Sequence, residues 1–295
     1  MKTTMNFTTS SEDVIRYETS AELRSFYEQF GIAGLELMYM GEDEKHLLEP
    51  DMIVGIHANC LTDWMHLDRA FLLEHYRKDL DYAKKIGAEY VVFHVTLVSA
   101  AESLTYQTVH TDEEVIDATV SLINELLDDQ NYSFYFLMEN LWWPGLNFKD
   151  PTITKRLLDG VHYEKKGLML DTGHFMNQNL DLRTANDALE RLHKMLDEHQ
   201  EFIPYIKGLH LNQSFSGTYI TEYLKHPAIP KEDPSALFTQ LFEHIFKIDL
   251  HQPFAAPGVK EFVERIAPLY VTFEYITNDI HQHAQYLKAG SDALR

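Results

Sequence analysis

Six short apolar stretches of the sequence each carry a histidine, aspartate or glutamate toward the C-terminal end. The stretches are MIVGIHANC (52–60), YVVFHVT (90–96), FYFLMEN (134–140), KGLMLDTGH (166–174), IKGLHLNQS (206–214) and PLYVTFEYI (268–276). The side chains are His57, His94, Glu139, Asp171, His210 and Glu274. Imidazoles and carboxylates bind zinc, manganese or cobalt. Apolar runs that stop on such groups are typical of buried parallel strands, so the pattern predicts a divalent metal centre at strand ends.

The elements that must position these side chains alternate between strand and helix patterns. Predicted strands cover 4–10, 34–40, 52–60, 90–96, 134–140, 166–172, 206–212 and 269–275. Predicted helices cover 20–31, 66–86, 111–129, 151–159, 184–199 and 278–289, the first with Ser20 as N-cap. Eight strands alternating with helices predict an α/β fold, a single (β/α)₈ TIM barrel over residues 1–295. Its C-terminal mouth would then carry the ligands.

One irregularity interrupts the alternation, a long excursion at about 213–248 after the seventh strand. Its first part is proline-containing and charged, and its second part, SALFTQLFEHIFK, is amphipathic. Loops that follow barrel strands lie over the active site. The excursion is therefore predicted to be an insertion that acts either as a lid or as a contact in a homo-oligomer, and both alternatives stay open.

Composition narrows the class of protein. The formal net charge of −21 is spread along the chain, which disfavours nucleic acid as a partner. A single cysteine, Cys60, fits a reducing compartment, and the N-terminus shows no signal-peptide pattern. No apolar run approaches the roughly 18–20 residues that cross a bilayer. We expect a cytoplasmic protein that acts on a small molecule and does not bind membranes.

The motifs LDTGH (170–174), HLNQS (210–214), MEN (138–140) and FE (273–274) give the chain a family resemblance. It resembles the xylose isomerase-like TIM barrels, a superfamily that joins sugar isomerases and epimerases with endonuclease IV. The epimerase branch holds one divalent metal on four ligands at strands five to eight. The resemblance implies that Glu139, Asp171, His210 and Glu274 hold this metal, and that Glu139 and Glu274 transfer the proton.

The endonuclease IV branch holds three zinc ions, and the resemblance extends to its further ligands. Additional residues of matching type are His57, His94, His174, Asp249 and His251. The resemblance implies a second metal on His57, His94 and Glu139, and a third on His174, Asp249 and His251. The expected cofactor is therefore one to three ions of zinc, manganese or cobalt. Asp249 lies much further from His210 in sequence than its counterpart does in endonuclease IV.

Several aromatic residues are candidate substrate contacts. Trp142 and Trp143 directly follow the Glu139 motif and either stack on a sugar or cover the barrel rim. Trp64 is a weaker candidate of the same kind. Glu36, within the second strand, is assigned a structural role.

Two departures from the branches bear on function. Epimerases carry an arginine six residues after the strand-seven histidine, where this chain has Ser216. Endonuclease IV places an arginine in the loop after strand two, where this chain reads GEDEK at 41–45, and Cys60 and Leu61 replace its aromatic and leucine after strand three. The departures disfavour a direct epimerase assignment, and disfavour DNA repair more strongly.

Three hypotheses follow. The first is a metal-dependent isomerase or epimerase of a small sugar, polyol or sugar phosphate, which moves a proton at a carbon next to a carbonyl. The second is a multi-zinc phosphoester hydrolase acting on a small phosphodiester or on abasic DNA. The third is a non-catalytic sugar- or metal-binding barrel. The sequence favours them in this order, and convergence of all nine ligands would favour the second.

Overall fold

The computed structural model describes residues 1–41 and 46–295 and contains a closed barrel of eight parallel strands. The barrel strands are β1 (Lys2–Thr8), β2 (Gly34–Met38), β3 (Ile53–His57), β4 (Tyr90–His94), β5 (Tyr135–Glu139), β6 (Lys166–Asp171), β7 (Ile206–His210) and β10 (Tyr270–Phe273). Each pairs with the next, and β10 closes the barrel against β1. The prediction of a (β/α)₈ barrel is confirmed.

Helices on the outside of the barrel connect successive strands. They are α1 (Ser11–Val14), α2 (Ser20–Glu28), α3 (Arg69–Ile86), α4 (Ala100–Thr105), α5 (Asp112–Leu127), α6 (Pro151–Gly160), α7 (Thr172–Asn177), α8 (Ala185–Glu198), α9 (Gly217–Tyr223), α10 (Pro234–Ile245), α11 (Val259–Ile266) and α12 (Ile280–Ala293). Short 3₁₀ turns lie at Pro50–Met52, Trp64–His66 and Gln200–Tyr205. Apart from α9 and α10, the helices contribute apolar residues to the main hydrophobic core, which lies against the barrel strands. Ile220 of α9 and Ile245 of α10 instead belong to a separate cluster with Trp142 and Trp143.

The helix termini follow ordinary capping chemistry, with one difference from the sequence prediction. Thr19, not Ser20, is the N-cap of α2, because its hydroxyl accepts the Glu22 backbone N–H. A capping box of Thr111 and Glu114 begins α5, and Gly87 ends α3 in the left-handed conformation. The sequence prediction missed α11 entirely.

The inside of the barrel is filled by a small second core. Its buried members are Val54, Tyr90, Val92, Leu137, Met169 and Tyr270. Gly55 makes room for the Tyr90 ring, since a Cβ at residue 55 would lie 2.1 Å from that ring. The phenol can therefore cross the barrel axis and place its hydroxyl below the mouth.

The chain between β7 and β10 contains a short antiparallel pair that returns it to the barrel. Strand β8 (Asn212–Gln213) pairs with β9 (Gln252–Pro253). Helices α9 and α10 lie between them, and α10 packs against α4. The residues just before β9 consequently lie beside the end of β7, although they are distant in sequence.

The acidic loop GEDEK at 41–45 was one of the departures that disfavour DNA repair. Residues 42–45 of this loop lie outside the described part of the chain. Within the described residues, no helix combines the length and the apolar character needed to cross a bilayer.

Candidate metal centre

The barrel brings the six strand-end side chains to one mouth. His57, His94, Glu139, Asp171 and His210 are each the final residue of a strand, and Glu274 directly follows β10. The parallel register pairs His94 with Glu139 and Asp171 with His210. Parallel strands in register end at one edge, so their last side chains converge.

Four of these residues form the first group, which we call the shared group. Donor atoms of Glu139, Asp171, His210 and Glu274 all lie within 4.8 Å of one another. His210 Nδ1 is 3.0 Å from Glu139 Oε1, 3.0 Å from Glu274 Oε2 and 3.6 Å from Asp171 Oδ2. The Glu274 side chain is 14% exposed and the other three are fully buried, so Glu274 faces the open side.

A second group uses the other oxygen of Glu139. Glu139 Oε2 lies 3.3 Å from His57 Nε2 and 3.1 Å from His94 Nε2. Donor atoms of these three residues also lie within 4.8 Å of one another. The Glu139 carboxylate thus stands between the two groups, with one oxygen toward each.

The third group joins α7 to the end of the insertion. Asp249 Oδ2 lies 3.1 Å from His174 Nε2 and 2.6 Å from His251 Nε2. His251 has a φ of 46°, an uncommon left-handed conformation for a histidine. The β8–β9 pair and a hydrogen bond from Leu250 N to Ser214 Oγ hold this segment at the mouth. All nine residues that the sequence singled out as possible ligands therefore fall into three adjoining groups.

Asparagine side chains that the sequence analysis left without a role fix the Asp171 carboxylate and its strand. Asn140 accepts the Asp171 backbone N–H at 2.9 Å and donates to the Asp171 carbonyl. Asn212 Nδ2 donates to Asp171 Oδ2 at 2.8 Å, and Asp171 Oδ1 caps α7 through His174 N. The motifs MEN and HLNQS carried these asparagines, so their sequence neighbours were the available signal.

Backbone carbonyls orient two of the imidazoles. His57 Nδ1 donates to the Ala58 carbonyl at 3.1 Å, and His174 Nδ1 donates to the Asn140 carbonyl at 2.9 Å. In both rings the proton on Nδ1 leaves the Nε2 lone pair pointing into its group. This is the usual way in which a protein fixes the tautomer of a metal-binding histidine.

The carboxylates and imidazoles of the metal centre shift one another's pKa. Burial would raise the pKa of Glu139, but the His210 and His94 imidazoles hold it well below its usual value. Burial likewise opposes ionisation of Glu274, while His210 and His251 hold its pKa at about 2. Burial lowers the pKa of His94, yet Glu139 raises it to about 10. The carboxylates therefore stay ionised and attract positive charge.

The donor set fits divalent cations. Among residues 1–41 and 46–295, the ion-pair partners of Glu139, Asp171, Asp249 and Glu274 are all histidines, and none is an arginine or lysine. Oε2 of Glu139 and Oε2 of Glu274 are buried without a hydrogen-bond partner. Buried carboxylates are costly unless they are paired or coordinate a metal. These residues could hold zinc, manganese or cobalt.

The tryptophans take two different positions. Trp142 and Trp143 are buried with Ile220 and Ile248 of the insertion, and the Trp142 ring centroid is 5.2 Å from that of His174. Trp64 is 2% exposed in the main core, where its indole N–H donates to the Thr96 carbonyl. This placement does not support substrate contact by Trp64.

A cleft of about 280 Å³ lies beside the third group. Its lining includes Trp142, Asn177 and Lys149. Asn177 Nδ2 lies 3.4 Å from Asp249 Oδ1, which connects the cleft wall to the third group.

Comparison with known proteins places this architecture in a family. A family profile described as xylose isomerase-like TIM barrel matches residues 26–261. No functionally curated protein matches the sequence.

Solved structures resemble the whole chain at low sequence identity. A D-tagatose 3-epimerase-like protein is 15% identical, with a TM-score of 0.55 over 100% of this chain and 98% of the other. Endonuclease IV from Thermus thermophilus is 14% identical, with a TM-score of 0.56 over 100% and 99%. IOLI protein with a binding zinc atom is 16% identical, with a TM-score of 0.56 over 100% and 95%. The chain belongs to the xylose isomerase-like TIM barrel family.

Proposed function

We propose that the protein is a multi-metal phosphoester hydrolase. The observation that carries this proposal is the third group, in which His174, Asp249 and His251 converge beside the two groups that share Glu139. Proton transfer on a sugar needs one metal and its four ligands, which leaves the other five residues without a role. Bound divalent ions polarise a phosphoryl group and lower the pKa of water, and several ions clamp both sides of a displacement.

The charge of the centre supports an anionic substrate. Its carboxylates are Glu139, Asp171, Asp249 and Glu274, and its five imidazoles bind metal only in the neutral form. With Glu36, whose carboxylate lies 2.9 Å from His210 Nε2, counted as a fifth carboxylate, three divalent ions would leave one positive charge, whereas one ion would leave three negative charges. A phosphate ester is attracted to the first arrangement and repelled by the second.

The residues of the metal centre differ in burial, and we assign them different roles on that basis. Asp171, His210 and Glu139 form a fully buried floor that holds its shape and excludes water. Glu274 and His94, with side chains 14% and 17% exposed, stand where a substrate can reach them. Glu274 Oε2 is buried 3.0 Å from His210 Nδ1, within the shared group, while the 14% exposure of the side chain makes Glu274 the carboxylate of that group nearest the open side, where it could hold or receive a proton.

A small substrate fits better than a nucleic acid. The cleft beside the third group is near the lower limit of ordinary small-molecule sites. Lys149 gives it a cationic group and Trp142 an aromatic wall. The formal charge of −21 opposes binding of a long polyanion.

Isomerisation or epimerisation of a small sugar is the second candidate. It is favoured by the position of Glu139 and Glu274, whose oxygens lie within 4.8 Å in one group and could act on one substrate carbon.

The test combines two assays on zinc-loaded protein purified without chelator. The first measures cleavage of small phosphomonoesters, small phosphodiesters and an abasic DNA duplex. The second measures deuterium wash-in from D₂O into ketoses by mass spectrometry. We expect ester cleavage without wash-in, and loss of cleavage in Asp249→Asn. The matched control is Asp197→Asn, at a side chain 70% exposed that pairs with Arg265. Wash-in that persists in Asp249→Asn, without cleavage of any ester, would establish the isomerase instead.

A further inference from the structure

A buried carboxylate lies below the metal centre on a strand that contributes no ligand to it. Glu36 is the third residue of β2 and is 2% exposed. Its Oε1 lies 2.9 Å from Nε2 of His210, on the side of the ring opposite to the shared group. His210 is thus enclosed between Glu36 below and three carboxylates above.

Two hydroxyl groups hold Glu36 in this position. The Tyr90 hydroxyl donates to Glu36 Oε2 at 2.8 Å, and the Thr272 hydroxyl donates to the same oxygen at 2.7 Å. Both hydroxyls also contact Thr4 Oγ1, at 3.2 and 2.8 Å. Since Oε2 accepts both donors, Oε1 is the oxygen left for the imidazole.

His210 differs in this respect from the other oriented imidazoles of the centre. The ring nitrogens of His57 and His174 that face away from their groups meet main-chain carbonyls. His210 Nε2 has no well-aligned hydrogen-bond partner in the described structure, and the group facing it at 2.9 Å is the Glu36 carboxylate.

We infer that Glu36 is a positioning residue that keeps the proton of His210 on Nε2 and directs the Nδ1 lone pair at the shared group. This inference rests on the metal centre of the proposed function. A carboxylate behind a metal-binding imidazole fixes the ring and raises its basicity as a ligand. Loss of such a partner typically weakens metal affinity roughly 10–100-fold.

A fourth metal on Glu36 is the competing interpretation. Donor atoms of Glu36, His57 and His210 lie within 4.8 Å of one another. That metal would require His210 to bind through both ring nitrogens, because Nδ1 already faces the shared group. It would also compete for His57, whose Nδ1 donates to Ala58 and whose Nε2 faces Glu139. The directions of the donors therefore favour positioning over coordination.

The test compares Glu36→Gln with native protein and with Thr4→Val. Glutamine keeps the shape of Glu36 and removes its charge. Thr4→Val removes a hydroxyl from the same buried network without touching Glu36, and it controls for general damage to that network. The zinc dissociation constant is measured by chelator competition, and the Nε2–H resonance of His210 is recorded by NMR in the zinc-loaded protein.

We expect Glu36→Gln to weaken the tightest zinc site roughly 10–100-fold and to move the Nε2–H resonance upfield, while Thr4→Val changes neither. Glu36→Asp keeps the charge but draws the carboxylate back, so it should also weaken zinc, and it serves if the glutamine variant folds poorly. Equal zinc affinity in the native, Glu36→Gln and Glu36→Asp proteins would overturn this inference but leave the proposed function intact. Loss of one zinc from four would establish the fourth metal, and absence of zinc from native protein would overturn the proposed function as well.

Discussion

Gly173 gives the most direct test of how the Asp171 segment is positioned. A Cβ at this residue would lie 1.9 Å from Asn212 Oδ1, whereas ordinary contact begins at 3.4 Å. Gly173→Ala must therefore displace the Asn212 amide relative to α7 by about 1.5 Å. Asn212 Nδ2 holds Asp171 Oδ2, so the displacement is transmitted to the shared group. A misplacement of about 1 Å can reduce a rate on the order of 100-fold.

The same substitution should change stability only modestly. Overpacking destabilises by about 1–3 kcal/mol, and alanine in a helix recovers about 1 kcal/mol relative to glycine. The net loss of stability is then about 0–2 kcal/mol, which leaves the protein folded, whereas a 100-fold loss of rate corresponds to about 2.7 kcal/mol in the activation barrier. A large loss of rate together with a small loss of unfolding free energy would indicate that the substitution misplaces the metal ligands without unfolding the protein.

The assay is hydrolysis of bis(p-nitrophenyl) phosphate by zinc-loaded protein, with urea unfolding measured in parallel. Gly160→Ala is the matched control, since its Cβ would crowd Val120 at 2.9 Å at the end of α6, on the side of the barrel away from the mouth. We expect the control to lose some stability and keep its rate. In an Asn212→Ala background, Gly173→Ala should have little further effect. A full rate in Gly173→Ala with normal zinc content would refute the proposed positioning by Asn212.

Three further predictions concern metal content and pH. Asp249→Asn should lower the metal count from three to two by plasma emission, because Asp249 links both imidazoles of the third group; an unchanged count would contradict the third site. Removal of metal by chelator should lower the melting temperature, since a ligand present at 100 times its dissociation constant stabilises the fold by about 2.7 kcal/mol; unchanged melting would mean that no metal is bound. His283 is buried beside Arg16, and burial with that positive charge lowers its pKa to about 3. The unfolded chain then binds the extra proton below pH 6.5, so native stability should fall by about 2 kcal/mol between pH 7 and pH 5 from this group, and His283→Gln should reduce that slope in urea titrations.

The sequence predicted the barrel well because six of its eight strands are short apolar runs with a histidine, aspartate or glutamate toward the C-terminal end. The eight predicted strands overlap the observed ones, and His57, His94, Glu139, Asp171 and His210 each lie at a strand terminus. Such positions depend on local pattern and on parallel register. Both can be read along the chain.

Contacts between distant segments could not be read in the same way. The convergence of Asp249 with His174 depends on the β8–β9 pair, which involves two residues on each strand and leaves little sequence signal. The link between Glu36 and His210 crosses the barrel from β2 to β7, so nothing in the local sequence distinguishes Glu36 from a packing residue. Helix α11 (Val259–Ile266) lies between the end of the predicted insertion and the eighth strand, a stretch to which the sequence analysis assigned no element.

Diffraction at the zinc absorption edge from crystals of protein grown with zinc and without chelator tests the central claim most directly. The account predicts three anomalous peaks at the barrel mouth. One should lie among Glu139, Asp171, His210 and Glu274, one between His57 and His94, and one among His174, Asp249 and His251. A single peak in the shared group, with the other histidines unliganded at saturating zinc, would contradict the multi-metal hydrolase.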